Sequence, residues 1–219
     1  MTTSPNSPKL LKAGLVLVDP ESAKVLRIIS LQYNPEKLTR SLQVQTAGGE
    51  GGNRSEAMRF KGPAVETIRL EAEIDATDQL QWPDQNANAA AFGVAPQLAA
   101  LESLVNPSVD ELLAHDALAA SGRLEILPPE APLVLFVWGA QRVAPVRVTE
   151  CSFTEEAFDA ALNPIRARVS LSLRVLSTDD LGFAHKGGQL FIEHLRKRES
   201  LAGKAPASTL AQFGISSLG

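Results

Sequence analysis

The order of residues predicts a mainly β fold, a β-barrel or closed sandwich carrying two or three short helices. Three observations support this. Apolar and polar residues alternate strictly from Ile165 to Val175 and again from Ile68 to Ile74, which is the period of a strand with one buried and one wet face. Turn residues such as Asp19-Pro20 and Asn163-Pro164 punctuate the chain between apolar runs, as strand connections require. Helical spacing is confined to a central stretch and to the C-terminal end.

In chain order, residues 1–9 are expected to be a flexible start. Leu10 to Val18 and Lys24 to Tyr33 are apolar runs joined by DPESA, and a hairpin is the simple expectation. Leu38 to Gln45 follows as a third strand. It runs into AGGEGGNRSEAMRFKGP, whose glycines predict a mobile loop over residues 46–62. This loop is no phosphate cradle, because no Gly-Lys-Ser/Thr follows it and no helix opens after it. ETIRLEAEID then sets Ile68, Leu70, Ala72 and Ile74 against Arg69, Glu71 and Glu73 as another half-buried strand.

A helical excursion is expected over residues 77–122. It opens polar and rich in Ala and Asn, and APQLAALESLVN then places Leu98, Leu101, Leu104 and Val105 on one helical face, with Pro96 in the first turn. SVDELLAHDALAAS begins with Ser108 three residues before Glu111, a capping-box spacing, and ends at Gly122. APLVLFVWG and RVAPVRVTECSF return the chain to strands. TEEAFDAALNPIRARVSLSLRV follows, with Glu155, Glu156 and Asp159 ahead of the alternating run. Because Pro164 fixes φ and pushes Asn163 out of the helical region, the carboxylates are expected in a link before a strand roughly twice the usual length. Thr154 would cap a short turn there, with Phe158 and Leu162 docked on the core. In KGGQLFIEHLRKRES, Leu190, Phe191, His194, Leu195 and Leu201 recur at helical spacing. The expected organisation is a β domain over residues 10–182 and a C-terminal helix and tail over 183–219.

A chain of 219 residues, 44% hydrophobic and 21% charged, is long enough for one good core. Its net charge of −4 and dispersed Lys and Arg lack the clustered cations of a nucleic-acid binder. The N-terminal MTTSPNSPK lacks a signal-peptide layout, and the longest apolar run, APLVLFVWGA, is about half of the ~20 residues a membrane helix needs. Membrane insertion is therefore not expected. The single cysteine, Cys151, allows no internal disulfide and reads as a small apolar strand residue.

The histidines, His115, His185 and His194, have no spacing that would bind a metal from one element. Glu155 and Asp159 could in principle supply the acid and base of a glycosidase, which must sit about 5 to 9 Å apart across a sugar. Such sites bring aromatic platforms, and aromatic content is only 5%. No Gly-x-Ser-x-Gly elbow, zinc helix or dinucleotide fingerprint is present. Neither a catalytic residue nor a cofactor is expected, which directs attention to surfaces used in assembly.

Four stretches together, LQYNPEKLTRS, GPAVETIRLEAEIDATDQL, GVAPQLAALESLVNPS and PLVLFVWGAQRVAPVRVTECSFTEEAFDAALNPIRARVSLSLRVL, resemble the contractile injection system tube-protein family. These are phage-tail-like baseplate proteins that join the inner tube to the central spike. The resemblance runs roughly from Leu10 to Leu201. Its most specific part leads from Trp138-Gly139 through Pro145-Val146, Thr154-Glu155, Phe158 and Asn163-Pro164 to Ala167 in the alternating strand, with Asn34-Pro35 as a weaker companion.

The resemblance implies a tail-tube-like β-barrel, a homo-hexameric ring, and inner-tube, spike and baseplate proteins as partners. It also implies assembly in the cytoplasm into a particle that is kept or released. The matching positions would define fold and assembly, and Glu155 and Glu156 would meet Arg or Lys of the next copy. Many members carry a C-terminal LysM module. Here the terminal helix is followed by AGKAPASTLAQFGISSLG, expected instead to be a peptide arm that adds to a neighbour.

Overall fold

The longest alternating runs pair with each other and form the spine of the molecule. In the computed structural model, which describes residues 10–46, 59–120 and 131–217, β6 (Val143–Phe158) and β7 (Pro164–Val175) are antiparallel from Val146↔Val175 to Phe158↔Pro164. On one side β7 pairs with β4 (Val65–Asp75), which pairs with β3 (Leu38–Gln43). On the other side β6 pairs with β5 (Leu133–Val137), which pairs with β1 (Gly14–Val18) and then β2 (Val25–Ser30). The result is one seven-stranded antiparallel sheet in the order β2-β1-β5-β6-β7-β4-β3. Residues 1–9, most of the expected loop at 46–62, and Gly122 lie outside the described residues.

The mainly β class is found, but the sheet is not closed, because β2 and β3 stand at opposite ends of the order. β3 covers only Val65 to Leu70 of β4, so among the described residues the second half of β4 has no strand on that side. Gln32, just beyond β2, takes a ladder position there. Its Nε2 donates to the Asp75 carbonyl at 2.7 Å, and its Oε1 accepts from the Asp75 N–H at 3.0 Å. A side-chain amide thus supplies the donor and acceptor that a neighbouring backbone would have offered. The remaining gap is plugged by α3 (Ala95–Glu102), which buries Leu98 and Leu101 and whose following Ser103 accepts a hydrogen bond from Arg27 Nη1 at 3.0 Å.

Ahead of α3 lie two short helices, α1 (Thr77–Leu80) and α2 (Ala87–Phe92). After it comes α4 (Val109–Ala120), where the expected capping box forms: the Ser108 N–H donates to Glu111 and the Glu111 N–H to Ser108 Oγ. α5 (Thr178–Leu181) and α6 (Lys186–Ala202) close the barrel-like core at its other end, with Phe191 of α6 buried. The extra helices span four to six residues each, too few for a 3.6-residue period to be seen. The core itself follows the pattern: Ile68, Leu70, Ala72 and Ile74 meet Ala167, Val169, Leu171 and Leu173, with Leu15, Phe136 and Val146 beside them.

The connection ahead of the alternating strand also departs from expectation. Thr154 to Phe158 do not form a link; they continue β6, with Glu155 opposite Ala167 and Glu156 opposite Arg166. The turn is confined to residues 159–163, and the hairpin overshoots the core. Phe158 is therefore 51% and Leu162 79% exposed, not docked. Ala157 and Leu162, with φ of +53° and +64°, give the hairpin end its sharp local geometry.

Candidate assembly surfaces

The hairpin end is built around Asp159 and Asn163. Asp159 Oδ1 accepts from the N–H groups of Ala161 and Asn163, each at 2.8 Å, and its Oδ2 accepts from Asn163 Nδ2 at 2.9 Å. The Asn163 side chain and N–H, followed by the Ala161 N–H, hold the Asp159 carboxyl below its ordinary range. Asn163 Nδ2 also donates to the Ala91 carbonyl at 3.2 Å, and the Pro164 carbonyl accepts from the Val94 N–H at 2.8 Å. Gly93 makes this approach possible: its φ is +57°, and a Cβ placed there would lie 2.1 Å from the Pro164 oxygen. Asn163-Pro164 thus latches the helical excursion to the end of the hairpin, and Asp159 is the acceptor that holds the turn.

On the wet face of the sheet, carboxylates and guanidinium groups interleave. Arg166 Nε meets Asp75 Oδ2 at 2.7 Å and Glu73 Oε1 at 3.8 Å, while Arg168 lies 3.4 Å from Glu71 and 3.6 Å from Glu156. Glu156 therefore finds a basic partner within its own chain. Burial pushes the Asp75 carboxyl up, but bonds from Thr77 and Arg166 outweigh this and hold it below its ordinary value. The exposed pairs contribute little individually. A groove of about 1130 Å³ runs over this face, lined by Asn34, Pro35, Glu71, Glu150, Arg168 and Ser170 among others. Neither Glu155 nor Asp159 lines it.

The other singled-out positions hold strands and turns. Asn34 imitates a strand neighbour, its Oδ1 accepting from the Ala13 N–H at 2.8 Å and its Nδ2 donating to the Leu11 carbonyl at 2.7 Å. Trp138 tilts against Phe136 with ring centroids 5.9 Å apart, and its N–H donates to the Arg142 carbonyl across a turn whose Gly139 has a φ of +72°. Pro145 and Val146 are fully buried, and the Pro145 carbonyl accepts from Leu176. Ala167 is buried, whereas Thr154 and Glu155 are exposed. Trp138, Gly139, Pro145 and Val146 thus gather at one end of the β6–β7 ribbon, and Phe158, Asn163 and Pro164 at the other. Burial pushes the Cys151 thiol up, which disfavours the reactive thiolate.

Sequence reasoning missed how much apolar surface the elements leave bare. β2 exposes Val25 by 51%, Leu26 by 52% and Ile28 by 68%. Its composition signalled a strand, but only its place at the end of the order shows that no further described strand pairs beyond it. Phe92, Phe158 and Leu162 are bared around the hairpin end, and α4 buries none of its residues. Among the described residues no three His, Cys, Asp or Glu side chains gather as metal ligands, and no helix is long and apolar enough to cross a membrane.

Among solved structures, the chain is similar to a chain of the tail of an empty gene transfer agent (GTA) particle with C6 symmetry. They share 9% identity over 74% of this chain and 90% of that one, with a TM-score of 0.29. A chain of the virion of a native gene transfer agent particle gives 7% identity over the same shares, with a TM-score of 0.25. No curated protein matches. The description "contractile injection system tube protein" matches residues 12–183, which take in all seven strands. The chain belongs to the contractile injection system tube protein family.

Proposed function

We propose that this tube protein is a structural adaptor: a homo-hexameric ring, assembled in the cytoplasm, that joins the inner tube of a contractile injection particle to its spike and baseplate hub. The observation that carries this reading is the open sheet, whose outer strand β2 presents Val25, Leu26 and Ile28 to solvent. An uncovered apolar edge strand is an aggregation hazard in a monomer. A head-to-tail interface around a six-fold axis covers such an edge once per copy and closes on itself. The site residues named above act in this reading by holding the fold and the hairpin end that faces a neighbour, not by chemistry. The family match equally favours an ordinary stacking inner-tube subunit, and the two readings differ in copy number, one ring against many.

Electron microscopy of a deletion strain tests the adaptor role. Without the protein, no complete sheathed particles are expected, because tube and sheath stop at the baseplate. Normal full-length particles in that strain would replace the adaptor with an accessory role. Glu155→Gln is expected to leave assembly nearly intact. Loss of a sugar-cleaving activity in that variant would instead favour a carbohydrate-active enzyme.

A further inference from the structure

Charge is out of balance where α6 crosses the start of β4. Five titratable side chains from four places in the fold converge there: Arg40 of β3, Glu66 of β4, Arg142 in the β5–β6 turn, and His194 and Arg198 of α6. Glu66 is only 7% exposed; one oxygen accepts from Arg40 Nε and the other lies 3.9 Å from His194 Nε2. His194 is 2% exposed, and among the described residues its Nδ1 has no hydrogen-bond partner. Arg142 Nε, Arg198 Nε and Arg198 Nη2 are likewise buried without an acceptor among those residues.

Three guanidinium groups therefore face one carboxylate. Guanidinium does not release its proton in proteins, so the excess positive charge cannot be relieved by titration. Burial comes first in depressing both Arg142 and Arg198, followed by repulsion from Arg198 and Arg40 at Arg142 and from Arg40 at Arg198. In His194 burial comes first, and together with Arg198, Arg40 and Arg142 it outweighs the pull of Glu66 and holds the imidazole below its ordinary range. Buried donors without acceptors are costly, and natural structures supply the acceptor from somewhere.

We infer that Arg40, Arg142, Arg198 and His194 form a binding site for an oxyanion, a phosphate-type group or a carboxylate, whose oxygens take the unpartnered N–H groups. The chemistry suits the donors, since a planar guanidinium fork matches two oxygens of either group. Glu66 orients Arg40 and leaves the other two forks to the ligand. The site is separate from the hairpin end and from the β2 edge, and it does not depend on the ring reading.

The test uses the full chain. Thermal melting and the Arg Nε–H resonances are followed while inorganic phosphate, or separately acetate, replaces chloride at constant ionic strength. A ligand that binds the folded chain raises Tm in step with its concentration. The expected result is such a rise, with shifts of the Arg142 and Arg198 Nε resonances. Both are expected to be lost in Arg198→Gln and Arg142→Gln and retained in Arg196→Gln, on the exposed face of the same helix. A response to phosphate alone assigns a phosphate-type ligand. A response to acetate alone assigns a carboxylate, such as an acidic side chain of a neighbouring protein, and a response to both ions shows a site that takes either oxyanion. No response to either ion, or a response that Arg198→Gln and Arg142→Gln preserve, overturns the inference. The resonances of the wild-type chain decide the matter even if a variant fails to fold.

Discussion

Leu171 and Ser170 are neighbours in β7, yet they face different solvents: Leu171 is 3% exposed in the core, and Ser170 points into the wet groove. Leu171→Asp buries an unpaired charge and is expected to destabilise the chain by about 4 kcal/mol or more. Ser170→Asp is expected to be mild; equal losses in denaturant titrations would contradict this placement. At Gly93, Ala adds a methyl 2.1 Å from the Pro164 oxygen at a φ of +57°. The expected loss is more than about 1 kcal/mol, with hydrogen exchange increasing first in α2 and α3. His194 makes a prediction in pH. Its folded pKa lies below the ordinary 6.5, so the unfolded chain binds the proton more readily. Its contribution is present above pH 6.5 and is lost as pH falls below that value. Guanidinium-chloride titrations of the wild type and His194→Gln are expected to show this acid-side slope only in the wild type.

The individual elements differ in how plainly the sequence displays them. β4 and β7 alternate without interruption, and every expected core position in them is buried except Ile165, which is half-buried. β6 was harder to read because it changes phase. Val146 and Val148 face the core, the register then shifts between Val148 and Glu150, and Cys151 and Phe153 take the core side. A bulge reverses the parity of everything after it, and Thr149 Oγ1 donates to the Ser172 carbonyl at the interruption. Strict period two therefore fails across TECSF, and the chain beyond reads as a link although it is strand. The Asp159–Asn163 turn was legible from Asn-Pro, but its hold on Ala91 and Val94, some 70 residues away, belongs to tertiary structure alone. At β2 the exposure of Ile28, 68%, leads to a separable prediction. Ile28→Lys is expected to leave the melting temperature of the isolated chain nearly unchanged while abolishing ring formation in sedimentation. Loss of monomer stability would mean the edge is part of the core.

At the scale of the whole molecule, the sheet is one ladder short of a barrel, with α3 and the Gln32 amide filling the opening. The core is complete without a partner, but the two outer strands are not. This combination fits a subunit that folds alone and is finished by its neighbours. The missing closure could not be read from strand patterns, because alternation specifies which face is buried and is silent on which edges meet. Cryo-electron microscopy of purified, intact particles measures directly whether the protein closes into a single ring between tube and hub. The account predicts density for this chain in one hexameric layer at the baseplate end, with β2 of each copy covered by the next. Density for this chain repeating in stacked layers along the tube, or a layer in which β2 stays bare, would contradict it.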